Sequence, residues 1–349
     1  LYTVIDDEFA LPTPTRNGYE FVGWTGEGIT MPQTSVKIPK GSTGNKAYTA
    51  NWQVIKYTII TLLEGGNAGS SGAYAYTVEE TFTLPTPTRK GYTFFGWTGE
   101  GITKPQPNVT IPKGSTGDKT YIENWKLTEY NITMDLNGGS GETTLLYTVI
   151  DDEFALPTPT RNGYEFVGWT GEGITTPQTS VKIPKGSTGD KAYTANWQVI
   201  EYTITLDTNG GPVVSPIKYT VEDSFTLPYP LRPGYEFAGW VLDGSGQFPS
   251  TPMIIPEGST GDRIYEAEWR VATYTITFVS HGRVYNWVQY TINNQIYFGA
   301  PEEDPSYYLP GYTFVGWKID GVSGTPRSYM LPKGSYGNRT ATMLWEPIP

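Results

Sequence analysis

A few residue groups in this chain have the types and spacing to suggest chemistry. Asp6-Asp7-Glu8 and Asp151-Asp152-Glu153 are runs of carboxylates. Paired acid–base work needs two carboxyl groups facing each other across a cleft with divergent pKa values, not neighbours at a strand end. They read as solvated turn charge. Gly114-Ser115-Thr116-Gly117-Asp118-Lys119-Thr120 has the look of a phosphate loop. It lacks the G-x-x-x-x-G-K-[ST] spacing, puts an acid where phosphate would approach, and precedes a strand, so it reads as a hairpin turn. Asp135-x-Asn137 and Asp207-x-Asn209-Gly210 could open a calcium loop, but the later oxygen ligands and closing Glu are missing. His281 is the single histidine, and the chain has no cysteine. A Ser-His-Asp or Cys-His arrangement therefore has no support, and His281 reads as a turn residue that tolerates a left-handed backbone. The sequence offers no catalytic residue, no metal site and no cofactor-binding loop.

Aromatic side chains are the remaining candidates. Tyr, Trp and Phe make up 14% of the residues, and exposed rings can stack on sugars or anchor a protein partner. They crowd the last 76 residues, where Tyr285, Trp287, Tyr307, Tyr308 and Tyr329 are the candidate ligand contacts. The competing reading is a capping unit that closes an array.

What must position these groups is a repeat. Gly-Tyr-x-Phe-x-Gly-Trp begins at Gly18, Gly91, Gly163, Gly234 and Gly311, and a second tryptophan keeps the same beat at Trp52, Trp125, Trp197, Trp269 and Trp345. A fixed period means one supersecondary unit copied in tandem. Five repeats follow: 1–56 (lacking its first strand), 57–129, 130–201, 202–273 and the divergent 274–349. Residues 1–55 match 146–200 except at Met31/Thr176 and Asn45/Asp190, the mark of recent copying and of selection on length. A feature common to every copy is expected to be fold chemistry, and a specific site is expected where the copies disagree.

Within a repeat the signals are for strands. Tyr202, Ile204 and Leu206 alternate with threonines and end at Asn209-Gly210-Gly211, a hairpin signal. Tyr19 and Phe21 share a face, and Trp24 joins them only if Gly23 marks a bulge. Proline-rich segments leave room for at most one short helix per repeat. Only Gln53-Val54-Ile55-Lys56 separates Trp52 from Tyr57, so one repeat's last strand runs almost directly into the next repeat's first. That predicts a semi-rigid monomeric rod of about 145 Å, from five globules of roughly 29 Å.

The strings Tyr-Thr-Ile-Thr-x-Asp-x-Asn-Gly-Gly (202–211), Pro-Thr-Arg-x-Gly-Tyr-x-Phe-x-Gly-Trp (158–169) and Tyr-x-Ala-x-Trp (193–197) resemble the Listeria–Bacteroides repeat, the B-repeat family of internalin-type surface proteins. The resemblance covers essentially the whole chain. Departures fall at the turn: Leu62-Leu63-Glu64-Gly65-Gly66 and Val279-Ser280-His281-Gly282. It implies a mainly β, α+β fold, a tandem array of small β-grasp (ubiquitin-like) modules. It also implies a non-enzymatic stalk or adhesive segment at a bacterial cell surface or in a secreted protein, with a host or cell-surface protein or glycan as partner. A carbohydrate-binding module and a pure spacer are the alternatives.

Composition agrees. Net charge is −11, with 35 acidic against 24 basic residues. Nucleic acid and anionic lipid both need a basic footprint, and no apolar run approaches the ~20 residues of a membrane-spanning helix. Leu1 opens inside a repeat, which suggests a piece of a longer protein.

Overall fold

The computed structural model describes residues 1–63, 70–301 and 309–349. These residues form strands and turns, with no α-helix among them. Among the described residues the helix that an α+β reading requires is therefore absent. The reason lies in the connections. Stretches such as Leu227-Pro228-Tyr229-Pro230-Leu231-Arg232-Pro233 lose backbone donors at every proline and stay extended.

The chain divides into two compact units. The first comprises Leu1–Asp135, Glu142–Pro157 and Trp169–Thr194. It opens with a three-stranded sheet of Ile29–Gln33, Tyr19–Gly26 and Thr49–Val54. Next comes a five-stranded sheet ordered Ile102–Gln106, Tyr92–Gly99, Lys119–Leu127, Lys56–Leu63 and Ser70–Thr77. Lys56–Leu63 lies in its interior, parallel to Lys119–Leu127 and antiparallel to Ser70–Thr77. Tyr130–Asp135 repeats this pattern, parallel to Lys191–Val199 and antiparallel to Thr144–Tyr147.

The second unit comprises Leu136–Gly141, Thr158–Gly168 and Ala195–Pro349. It holds two four-stranded sheets. One is ordered Ile217–Tyr219, Tyr202–Asp207, Arg263–Val271, Tyr235–Leu242, and the other Arg283–Tyr290, Tyr274–Ser280, Arg339–Pro347, Tyr312–Ile319. A two-stranded ribbon accompanies each, Phe225–Thr226 with Ile254–Ile255 and Ile296–Phe298 with Tyr329–Leu331. Ile204, Tyr219, Trp240, Ile255 and Ala267 form one buried cluster between sheet and ribbon, and Ile276, Tyr290, Phe298, Trp317 and Leu331 form the next.

The bulge expected in the central motif is present. Register shifts between Phe21 and Gly23, between Phe237 and Gly239, and between Phe314 and Gly316. The extra residue turns phenylalanine and tryptophan to one face, where Phe237 meets Trp240 and Trp269 edge-on at 5.4 Å each. The first tryptophan is buried at Trp97, Trp169, Trp240 and Trp317. The second is half-buried.

Two turn expectations need correction. Asn209-Gly210 does not close a two-residue hairpin, because Tyr202–Asp207 pairs with Ile217–Tyr219 across a loop that contains Pro212 and Pro216. At the corresponding place in the last repeat, His281-Gly282 makes the tight form, joining Ser280 to Arg283. The Gly-Ser-Thr-Gly-Asp loop is no hairpin either. It leads from a ribbon strand, Ile254–Ile255, to a strand of the main sheet, Arg263–Val271.

Candidate functional site

The motif glycines carry a geometry that reading one repeat at a time does not disclose. Gly18, Gly91, Gly163 and Gly234 are buried, with φ near +80°. A Cβ on each would lie within 2.6 Å of a β-branched side chain in the following repeat: Val78, Val149, Val221 and Ile292, respectively. A real Cβ cannot approach that closely, so glycine is the socket that seats the neighbour's side chain. The socket's carbonyl is fixed from behind by the residue just past its own repeat's last strand. Ile55, Thr128, Ile200 and Ala272 donate their N–H groups to Gly18, Gly91, Gly163 and Gly234 at 2.9–3.0 Å.

The incoming side chain is held by its own turn. Tyr76, Tyr147 and Tyr219 are buried and donate their hydroxyls to the carbonyls of Gly117, Gly189 and Gly261 at 2.6–2.7 Å. Burial pushes all three phenols above their ordinary pKa. Carbonyls of Val78, Val149 and Val221 accept from the Gly114, Gly186 and Gly258 amides. Asp151 and Asp223 accept from the Thr148 and Thr220 amides and close the loop. At two joints a clasp is added. Tyr19 donates to Glu79 at 2.6 Å and Tyr164 donates to Glu222, while Arg16 and Arg161 stack on those tyrosines at 3.6 and 3.7 Å. These hydrogen bonds raise the pKa of both phenols.

The carboxylate runs thus resolve into three structural tasks. Asp151 caps the turn, Asp152 pairs with Lys185 at 2.8 Å and Glu153 pairs with Lys182 at 2.7 Å. Asp118, Asp190 and Asp262 of the glycine-rich loops accept from the amides of Thr58, Asn131 and Thr203, which start the opening strands. Asp207 accepts from the Asn209 amide. His281 adopts the left-handed backbone of Asn137 and Asn209, with φ of 51°, 47° and 46°, and its ring stacks on Trp345.

The aromatic candidates of the last repeat separate. Tyr285 lies against Phe278 at 6.0 Å, and Tyr329 against Phe298 at 5.9 Å, both packed on the buried cluster. Trp287 pairs with Thr277 next to the inward-facing Ile276–Val288 pair, so by strand alternation it leaves the opposite face, 61% exposed. Tyr307 and Tyr308 lie outside the described residues. Tyr285 lines a cavity of about 250 Å³ together with Phe278, Phe298, Trp317 and Met343. At the equivalent places the preceding repeat has Leu206, Leu227, Trp240 and Ala267, while its Tyr265 becomes Ala341. The cavity therefore sits where this copy has redistributed its core volume.

Residues 57–120, 130–196, 202–260 and 274–334 each match the Listeria-Bacteroides repeat domain. The chain belongs to the Listeria–Bacteroides repeat family. Residues 8–56 match the divergent InlB B-repeat domain of the same kind. Over 326 residues the chain is 28% identical to a protein of Evansella cellulosilytica described as a Gly-rich membrane protein, covering 88% of this chain and 36% of that one. A second membrane protein of that organism is 24% identical over 78% of this chain and 40% of its own length. Internalin H of Listeria monocytogenes is 28% identical over 46% of this chain and 28% of its length. The chain thus spans well under half of each of these relatives. Among its described residues no helix is long and apolar enough to cross a membrane.

The socket and its plug are what reading the sequence missed. The signal was available: a glycine just before the motif tyrosine, and Val or Ile directly after the next repeat's Tyr-Thr, recur at every junction.

Proposed function

We propose that this chain is a non-enzymatic repeat segment of a bacterial cell-surface or secreted protein, acting as a semi-rigid stalk and adhesive segment toward host or cell-surface ligands. The observation that carries this reading is the joint at Gly18, Gly91, Gly163 and Gly234, where a buried glycine receives the next repeat's side chain. Junctions of one or two residues between strands, as at Ile55, add to it. Each repeat is read as a β-grasp-type module, five in all with the boundaries given above. An opening strand in the sheet interior, parallel to the last strand, supports that assignment. Internalin H and the membrane-protein relatives favour an extracellular, cell-surface setting.

Small-angle scattering on the chain and on a deletion of 130–201 tests the stalk. Removing one coupled repeat shortens the maximum dimension by about 29 Å. A change far smaller than that, with a flexible-chain scattering profile in both, overturns the reading.

The aromatic cavity favours a second reading, carbohydrate binding by the last repeat. Tyr285→Ala then abolishes retention on a glycan array, whereas Trp287→Ala, on the opposite face, leaves it intact. Unchanged retention in the Tyr285→Ala variant, or no retention by the parent chain, removes it.

A further inference from the structure

A specific site is expected where the copies disagree, and three such disagreements meet in one place. Ahead of the motif glycine, the first three repeats carry Thr13, Thr86 and Thr158 where the fourth has Tyr229. They carry Thr15, Thr88 and Thr160 where the fourth has Leu231. In the glycine-rich loop, Thr43, Thr116, Thr188 and Thr260 give way to Tyr336 in the fifth. Tyr229, Leu231 and Tyr336 belong to different repeats, yet they line one cavity of about 460 Å³ where the fourth repeat meets the fifth. They are 61%, 75% and 53% exposed. Large apolar side chains gathered at water mark an interaction site more than they support a fold.

The joint pre-forms this cavity. Gly234 seats Ile292, whose carbonyl accepts from the Gly334 amide at 2.7 Å and so places the loop that carries Tyr336. Tyr229 is braced edge-on against Phe237 at 4.8 Å. Two charged groups share the lining with these rings. Arg232 donates to the Asn209 carbonyl at 2.9 Å and lies 4.0 Å over the Tyr235 ring, with further N–H groups of its guanidinium left to donate. Glu236 is exposed and brings an acceptor.

That lining discriminates among ligands. An apolar peptide segment would strip water from Arg232 and Glu236 without replacing their hydrogen bonds. An anion meets Glu236 and a net charge of −11, and a cation meets Arg232. A neutral sugar ring satisfies every group. Its C–H face lies on tyrosine, while its hydroxyls accept from Arg232 and donate to Glu236. We propose that the cavity between the fourth and fifth repeats binds a neutral pyranose unit of a glycan, held by Tyr229 and Tyr336 and oriented by Arg232 and Glu236. Its volume falls within the roughly 300–1,000 Å³ of small-ligand sites. One sugar in an open site is held weakly, and avidity comes from repeated sugars or from many copies of the chain. The site is separate from the cavity beside Tyr285, so either can fail without the other.

The test applies the chain to an array of neutral hexose and N-acetylhexosamine oligosaccharides, sialylated and uronic-acid oligosaccharides, and proline-rich peptides. Retention is expected on the neutral oligosaccharides. Tyr229→Thr and Tyr336→Thr each install the residue that the other copies carry, and a melting curve establishes that both variants stay folded. Each is expected to lower retention about ten-fold, the effect of one lost ring contact, and the double variant to abolish it. Tyr285→Ala leaves it unchanged. No retention on the neutral oligosaccharides, retention on the acidic ones or the peptides instead, or retention indifferent to both threonine variants overturns the proposal. Loss on Tyr285→Ala alone also overturns it and assigns the sugar to the other cavity.

Discussion

Gly234 and Gly239 stand five residues apart in one string and are constrained by different neighbours. At Gly239 (φ +136°) a Cβ would strike the backbone of Ser250 at 2.7 Å, inside the same repeat. At Gly234 it would strike only the side chain of Ile292, in the next repeat. Alanine at the two sites therefore separates fold from coupling. Gly239→Ala adds an unfavourable backbone state and an overpacked bulge, a loss of about 2–3 kcal/mol, and removes exchange protection from the Ile204 amide in the same sheet. Gly234→Ala leaves that protection in place and instead exposes the Ile292 turn. Equal loss at Ile204 in both variants would sink this division of labour.

The plug turns are elements whose closure is chemically distinct from copy to copy. In the fourth repeat Asp223 accepts from the Thr220 amide and hydroxyl at 2.7 and 2.8 Å. The backbone bond first, then the hydroxyl bond, holds its carboxyl below the ordinary value of 3.8. A depressed carboxylate contributes stability above its unfolded pKa and loses it as pH falls through the lower folded value. In the fifth repeat Asn294 makes the same two bonds from its amide oxygen and does not titrate. Hydrogen exchange across an acid series is thus expected to show the Thr220 turn opening below the usual carboxylate range while the Thr291 turn keeps its protection. Parallel opening of both turns would assign the effect to general acid unfolding.

These elements also show how far the sequence could be read. Strand alternation and the bulge at Gly23 follow from side-chain period, because one face of each strand is buried and a polar residue cannot occupy it. The turn after Tyr202–Asp207 did not follow, because Asn209-Gly210 specifies a local left-handed backbone without specifying where the chain next pairs. The second glycine, Gly211, answers to Trp269, whose ring would lie 2.9 Å from a Cβ there. Trp269 donates to the Thr208 carbonyl over the same turn. The tasks of Asp118, Asp190 and Asp262 were equally hidden, since their partners lie about sixty residues away. The aromatic candidates Tyr285 and Trp287 look equivalent as a list and are separated only by the pairing register.

For the molecule as a whole, coupling between repeats is set by joints of two kinds. Tyr164 donates to Glu222 beside the Gly163–Val221 contact, whereas the residue after Val149 is Ile150, which gives Tyr92 no acceptor in that place. The Tyr164 phenol is raised chiefly by its bond to Glu222. A raised group contributes stability that is complete below its unfolded value, near 10 for tyrosine, and is lost as pH climbs through the folded value. Spin-label pairs in the cysteine-free background read this directly, at Glu165 and Glu257 across one joint and at Lys90 and Lys185 across the other, all four exposed. Narrow distance distributions are expected for both pairs at neutral pH. Val221→Ala broadens only the first and Val149→Ala only the second, because each shortens one plug. Tyr164→Phe broadens the first pair alone, because phenylalanine cannot donate to the carboxylate of Glu222. If Tyr164→Phe broadens both pairs, or neither responds to its own plug, the repeats are coupled by something other than the glycine socket and its tyrosine clasp.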